Sequence, residues 1–272
     1  MSRTASLAQE VWAPVAGADH AELLSAVDAF TTATVKRRIR AHEIPLTSDD
    51  IGEIVAAAAE MGLLDQDPEG YGLWAGGTAA GRTFSTDALR TVARASCGAA
   101  FELHQAALAG LASVVTSSPP PAPGVVFTPS GRLGIGGAEL GRWLGGHELS
   151  ACDTETLRDL FGSRSRTRIC AEPSAEWLAP TFDGDGFSLT RFRGEGQAHE
   201  PAHGLDGLWT CRAVAADTEE VAALSRSQLA ELLTAHQLGI VAIALGAADT
   251  ASERALAYAE ARRQGGTEIV AH

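Results

Sequence analysis

One run of this chain limits its folding choices more than any other. From Ser225 to Gln264 there is no proline, and the only glycines are Gly239 and Gly246. Roughly forty residues at ~1.5 Å each predict a single helix near ~60 Å long. Its centre, Leu238–Ala248, is apolar on every side, so the helix needs neighbours all round it. Those neighbours must come from the earlier part of the chain or from another chain. Gly265-Gly266 is expected to stop the helix.

The rest of the 272 residues can supply a core, because 45% are hydrophobic and only 20% are charged. The formal net charge of −13 argues against a nucleic-acid partner, since it repels a phosphate backbone. Lys36-Arg37-Arg38-Ile39-Arg40 is the one cationic cluster and reads as a solvated helix face. Cys97, Cys152, Cys170 and Cys211 form no CxxC pair and read as reduced thiols. The N-terminal Met1-Ser2-Arg3-Thr4 opens no secretory leader, and no run reads as the ~20 apolar residues of a membrane span. A cytoplasmic protein with no membrane partner is expected.

Three zones divide the chain. Residues 1–118 are Ala-rich and helical in pattern, with helices predicted over 21–40, 46–64 and 85–115. The second begins at the capping cluster Thr47-Ser48-Asp49-Asp50, and the third at Ser85 or Thr86. The segment Ser117–Gly124, rich in proline, cannot continue a helix. Residues 119–224 are mixed, with a short helix near Leu157–Phe161. Asp183-Gly184-Asp185-Gly186 marks a hairpin between Leu178–Phe182 and Phe187–Phe192. The third zone, 225–272, holds the long helix. The fold class expected is mainly α with a small β-rich middle region.

Particular motifs sharpen that expectation. Gly246 is followed by Tyr258, then Ala259-Glu260-Ala261-Arg262-Arg263-Gln264-Gly265-Gly266 and Ile269. Met61-Gly62-Leu63-Leu64 precedes Glu69-Gly70-Tyr71-Gly72, and Arg94-Ala95-Ser96 precedes His104. His203-Gly204-Leu205-Asp206-Gly207 and Thr210 lead towards the long helix. In order and spacing these resemble the acyl-CoA dehydrogenase family. The resemblance implies an N-terminal helical domain, a shortened β-domain and a truncated C-terminal helical domain. It also implies FAD, an acyl-thioester or polyketide-like substrate, and a homo- or hetero-oligomer.

Site residues follow from the same resemblance. Some members carry their catalytic base ten residues before the glycine matched by Gly246, and that position here is His236. An imidazole at this point is expected to titrate near neutrality. Arg262 and Gln264 match the helix end that contacts FAD, whereas His104 and Tyr71 match positions near the substrate. Against this, the flavin motif T-E-P-x-x-G-S-D survives only as Ala171-Glu172-Pro173-Ser174. Thr190-Arg191-Phe192-Arg193-Gly194 stands where a tryptophan strand covers the flavin, and Gly265 replaces a phenylalanine. The sequence also stops ahead of three further helices and the loop with the usual catalytic glutamate. Three functions therefore stay open: a flavin-dependent oxidoreductase, a flavin-free enzyme using His236 as acid/base, and a non-catalytic subunit of a heteromer.

Two further motifs point elsewhere. His199-Glu200-Pro201-Ala202-His203 spells the zinc motif H-E-x-x-H, but Pro201 and the nearby glycines oppose the helix it needs, so no metal is expected. Gly134-Ile135-Gly136-Gly137 meets neither dinucleotide nor Walker spacing.

Overall fold

The computed structural model describes residues 18–39, 45–67, 71–75, 79–122, 124–129, 137–162, 165–171, 176–264 and 267–268. Helix α1, Ala18–Phe30, runs on through a π-helical stretch, Thr31–Lys36. The Thr31 hydroxyl donates to the Val27 carbonyl at 2.8 Å. That bond competes with the regular ladder where the helix widens. Helix α2, Ser48–Glu60, begins at the predicted cluster, where Thr47 and Asp50 form a reciprocal capping box.

The helix predicted over 85–115 is two helices, α3 (Ala79–Ala93) and α4 (Cys97–Thr116). Ser96 takes an extended backbone, φ −152°, and its hydroxyl accepts the Ala99 amide. Such a cap starts a new helix. Ser85, the predicted cap, lies inside α3. Its hydroxyl donates to the Gly81 carbonyl and accepts the Trp74 amide, each at 2.8 Å.

The middle region forms a five-stranded sheet in the order β1-β3-β4-β5-β2. Its strands are β1 (Val126–Phe127), β2 (Ser165–Cys170), β3 (Trp177–Phe182), β4 (Phe187–Pro201) and β5 (Trp209–Leu224). Only β1 with β3 is parallel. The predicted hairpin joins β3 to β4, and the Asp183 carboxylate accepts the amides of Asp185 and Gly186. Two short helices, α5 (Ala138–Leu144) and α6 (Ala151–Phe161), precede the sheet's main strands.

Helix α7 spans Arg226–Ala261, 36 residues. At ~1.5 Å per residue its length is roughly 54 Å. It begins at a Ser225–Gln228 capping box and gives way to a small ribbon, β6 (Arg263–Gln264) with β7 (Thr267–Glu268). One face is buried through Leu229, Leu232, Ala235, Gly239, Ala242 and Gly246, the three-to-four spacing of a single helical stripe. The two glycines mark the crossings. A Cβ on Gly239 would lie 2.2 Å from the His104 ring, and one on Gly246 would lie 2.5 Å from the Arg90 carbonyl. Beyond Gly246 the helix is tied to α3 by a bidentate Arg90–Asp249 pair and by Arg94–Glu253. The opposite face exposes Ile240, Val241 and Leu245.

No membrane-length apolar run was expected from the sequence. Both α4 and α7 are nonetheless long and apolar enough, by length and composition, to cross a membrane. In this fold α4 serves as the core helix, with Leu103, Leu108 and Ala112 sealed from solvent. One apolar core draws on all three zones, and a smaller one gathers Val126, Trp177, Ala179, Phe192 and Ala215. The segments Glu69-Gly70, Gly134–Gly136, Glu172–Ser174, Gly265-Gly266 and Ile269 lie outside the described residues.

Candidate functional sites on two faces of helix α4

His104 and His236 meet where α4 crosses α7. Their rings stack, with centroids 5.5 Å apart and planes 18° from parallel. The Trp74 indole N–H donates to His104 Nδ1 at 3.1 Å. Because an indole can only donate, Nδ1 must be unprotonated, which puts the His104 proton on Nε2. That nitrogen lies 3.2 Å from the His236 carbonyl and donates to it. His104 is fully buried with both nitrogens engaged. The residue expected to touch substrate is thus a neutral core histidine. Burial lowers its pKa to about 3, helped by the neighbouring His236 and opposed by the bond to the His236 carbonyl.

His236 is held differently. Its Nδ1 is buried and has no hydrogen-bond partner among the described residues. Burial lowers its pKa to about 4 rather than leaving it near neutrality, so at pH 7 the ring is a neutral base. Trp74 completes the arrangement at a cost. Its φ is +67°. That region is rare for a bulky side chain and carries on the order of 1–3 kcal/mol of strain. The Ser85 hydroxyl and His104 hold it there.

Two residues before His104, Glu102 faces the other way. It borders a cavity of about 740 Å³ whose lining includes Ser48, Asp49, Glu53, Cys170, Ala171 and Trp209. Three of the described lining residues are acidic, and none is lysine or arginine. Burial raises the Glu102 pKa to about 7, opposed by the Ala171 amide that it accepts and by the Arg168 charge. Its Oε2 is buried without a partner among the described residues. Glu102 was not among the residues expected from the sequence, although it is the only Asp, Glu, Lys or Arg in α4.

The remaining predicted residues are not brought to either face. Tyr71 is 58% exposed. Arg262, exposed at the end of α7, lies over the Tyr258 ring at 5.4 Å and donates to the Tyr258 hydroxyl. The side chain of Gln264 lies outside the described residues. In place of a flavin-covering tryptophan, β4 carries Arg191 and Arg193, paired with Glu176 and Glu219. The H-E-x-x-H stretch is strand through Pro201 and then turn, so the helix that the motif requires is not formed. The His199 side chain lies outside the described residues.

Helices packed around a small sheet, with one long helix running past both, define the acyl-CoA dehydrogenase architecture, here in a shortened form. The chain superposes on butyryl-CoA dehydrogenase from Megasphaera elsdenii with a TM-score of 0.60 at 14% identity, over 93% of this chain and 72% of that one. An acyl-CoA dehydrogenase with FAD from Bacillus anthracis gives 0.63 at 16% identity, over 94% and 47%. The prolyl acyl carrier protein oxidase AnaB gives 0.60 at 12%, over 94% and 73%. No family model and no curated protein matches the sequence.

Proposed function

We propose that this chain acts on an acyl-thioester substrate by proton transfer without redox chemistry, with His236 as the proton acceptor. The carrying observation is the buried, unpartnered Nδ1 of a neutral, half-buried imidazole stacked on a histidine that is itself locked. A neutral imidazole with an open nitrogen can take the hydrogen next to a thioester carbonyl, the first step of an isomerisation or elimination, once the developing enolate charge beside it raises its affinity for the proton. The acyl class is supported by the fold neighbours, whose names carry butyryl-CoA and a prolyl carrier protein.

The described residues do not fit FAD. Ala171 offers no hydroxyl, and the cavity beside it is lined by Asp49, Glu53 and Glu102, which oppose a diphosphate. Arg262 is turned onto Tyr258. No step of the proposal runs through a flavin.

Hydrogen exchange tests the reading. Acyl-CoA and acyl-pantetheine thioesters incubated with the protein in D₂O are expected to take up deuterium next to the carbonyl. His236→Gln is expected to slow that uptake by about 100-fold or more. Undiminished uptake in the variant, or a flavin band near ~450 nm in the purified protein, would refute the proposal.

A second reading, assembly, is favoured by the apolar stripe on α7, where Val241 is 56% and Leu245 47% exposed. Contiguous exposed apolar surface of this kind marks a contact site. Self-association through this stripe predicts that Val241→Glu with Leu245→Glu lowers the mass measured by light scattering. A wild-type monomer would remove this reading and leave the His236 proposal standing.

A further inference from the structure

We propose that Cys170 and Cys211 are a peroxide-sensitive pair that closes to a disulfide at the edge of the Glu102 cavity. Both are buried, and their sulfurs lie 3.4 Å apart. They come from neighbouring antiparallel strands. Arg168 of β2 stands directly opposite Cys211 of β5, and Cys170 lies two residues further along β2 on the same face. The sulfurs must close from 3.4 Å to the roughly 2.05 Å of a disulfide. A diagonal cross-strand pair needs some backbone movement to do so. The sheet provides for this, because β2 is an edge strand and Cys170 is its last residue.

The surroundings favour reaction over inert packing. Cys170 is among the residues that line the cavity, which brings a molecule as small as hydrogen peroxide to the strand end that carries it. Cys170 donates its S–H to Cys211. That bond draws the Cys211 thiol below its ordinary range, and the charge of Arg168 adds to the effect; the same bond and burial push Cys170 up. Cys211 in turn donates its S–H to the Trp209 carbonyl, so both sulfurs enter the reaction protonated.

The chemistry balances in two steps. The Cys170 sulfur attacks one peroxide oxygen and breaks the O–O bond. The released hydroxide takes the Cys170 proton as water, and Cys170 becomes a sulfenic acid. The Cys211 sulfur then attacks the Cys170 sulfur, forming S–S, and the expelled hydroxide takes the Cys211 proton as a second water. Two electrons leave the sulfur pair, and peroxide is reduced to two waters.

The test uses the intact chain treated with a small excess of hydrogen peroxide, then unfolded, blocked with iodoacetamide and mapped by mass spectrometry. The expected product lacks two hydrogens and contains a cross-linked peptide with Cys170 and Cys211. Neither cysteine takes up label until dithiothreitol is added. In Cys211→Ser, the expected product is a sulfenic acid at Cys170 that dimedone traps. Peroxide-treated wild type that adds oxygen at Cys170 or Cys211 without the cross-link, or leaves both of these thiols open to label, would overturn the proposal. Should Cys211→Ser fail to fold, the wild-type map decides alone.

Discussion

Glu102 and His104 stand two residues apart on α4, and the helix turns them to opposite environments. His104 enters a sealed crossing where every polar atom of its ring is used. Glu102 enters a cavity margin where one amide is satisfied and one oxygen is not. Burial disfavours the charged form of each, which means opposite directions for an imidazole and a carboxyl. The usual order of acids is thereby inverted, with the carboxyl at about 7 above the imidazoles at about 3 and 4. Burial alone does not separate a structural group from a reactive one. Unused hydrogen-bonding capacity does, and on that count His236 and Glu102 differ from His104.

Breaking the sealed side should have the largest effect. His104→Ala strands the Trp74 indole N–H, removes the side-chain bond to the His236 carbonyl and opens a hole. The loss in urea unfolding should be about 3–5 kcal/mol. A loss under about 1 kcal/mol would mean the crossing is not sealed as described.

The open side should appear as a pH dependence. Between about 4.5 and about 7 the folded state holds a proton on Glu102 that the unfolded chain has released. This contribution to stability is complete below about 4.5 and is lost as pH rises through about 7. The loss amounts to at most about 3 kcal/mol. Glu102→Gln should abolish that decline. The histidines act with the opposite sign. Their contribution is complete above about 6.5 and is lost as pH falls through about 4 and then 3, so acid destabilisation should persist in Glu102→Gln.

Gly239→Ala sharpens the contrast at lower cost. The new methyl would press on the His104 ring. About 1–3 kcal/mol should be lost with no change in the Glu102 titration. The smallest effect is expected from Val241→Glu with Leu245→Glu on the exposed stripe. For the isolated chain, each of these sites should change stability by no more than about 0.5 kcal/mol.

Much of the frame was legible because its causes are local. The Thr47–Asp50 cap and the Asp183–Gly186 turn each close within a few residues, and both formed where they were read. The break at Ser96 was hidden because the apolar pattern runs on either side of it, so only its cap geometry betrays it. The π-helical stretch, which opens at the Thr31 hydroxyl back-bond, is revealed by no periodicity. His104, expected near the substrate, sits at the crossing of α4 and α7. Its indole partner lies 30 residues away and its carbonyl partner 132 away, distances over which spacing carries no information. Glu102 could have been found, since a lone carboxylate in an otherwise uncharged 20-residue helix is itself a signal. The Cys170–Cys211 contact spans 41 residues and depends on strand register.

The inverted acid order can be tested in one titration. NMR of ¹³C-labelled protein, with resonances assigned from the His104→Gln, His236→Gln and Glu102→Gln variants, follows the two imidazoles and the carboxyl together from about pH 8 down to the onset of acid unfolding. Glu102 is expected to protonate first, near 7, while both imidazoles remain neutral to below about 5. Imidazoles that protonate near ~6.5, ahead of the carboxyl, would contradict this order.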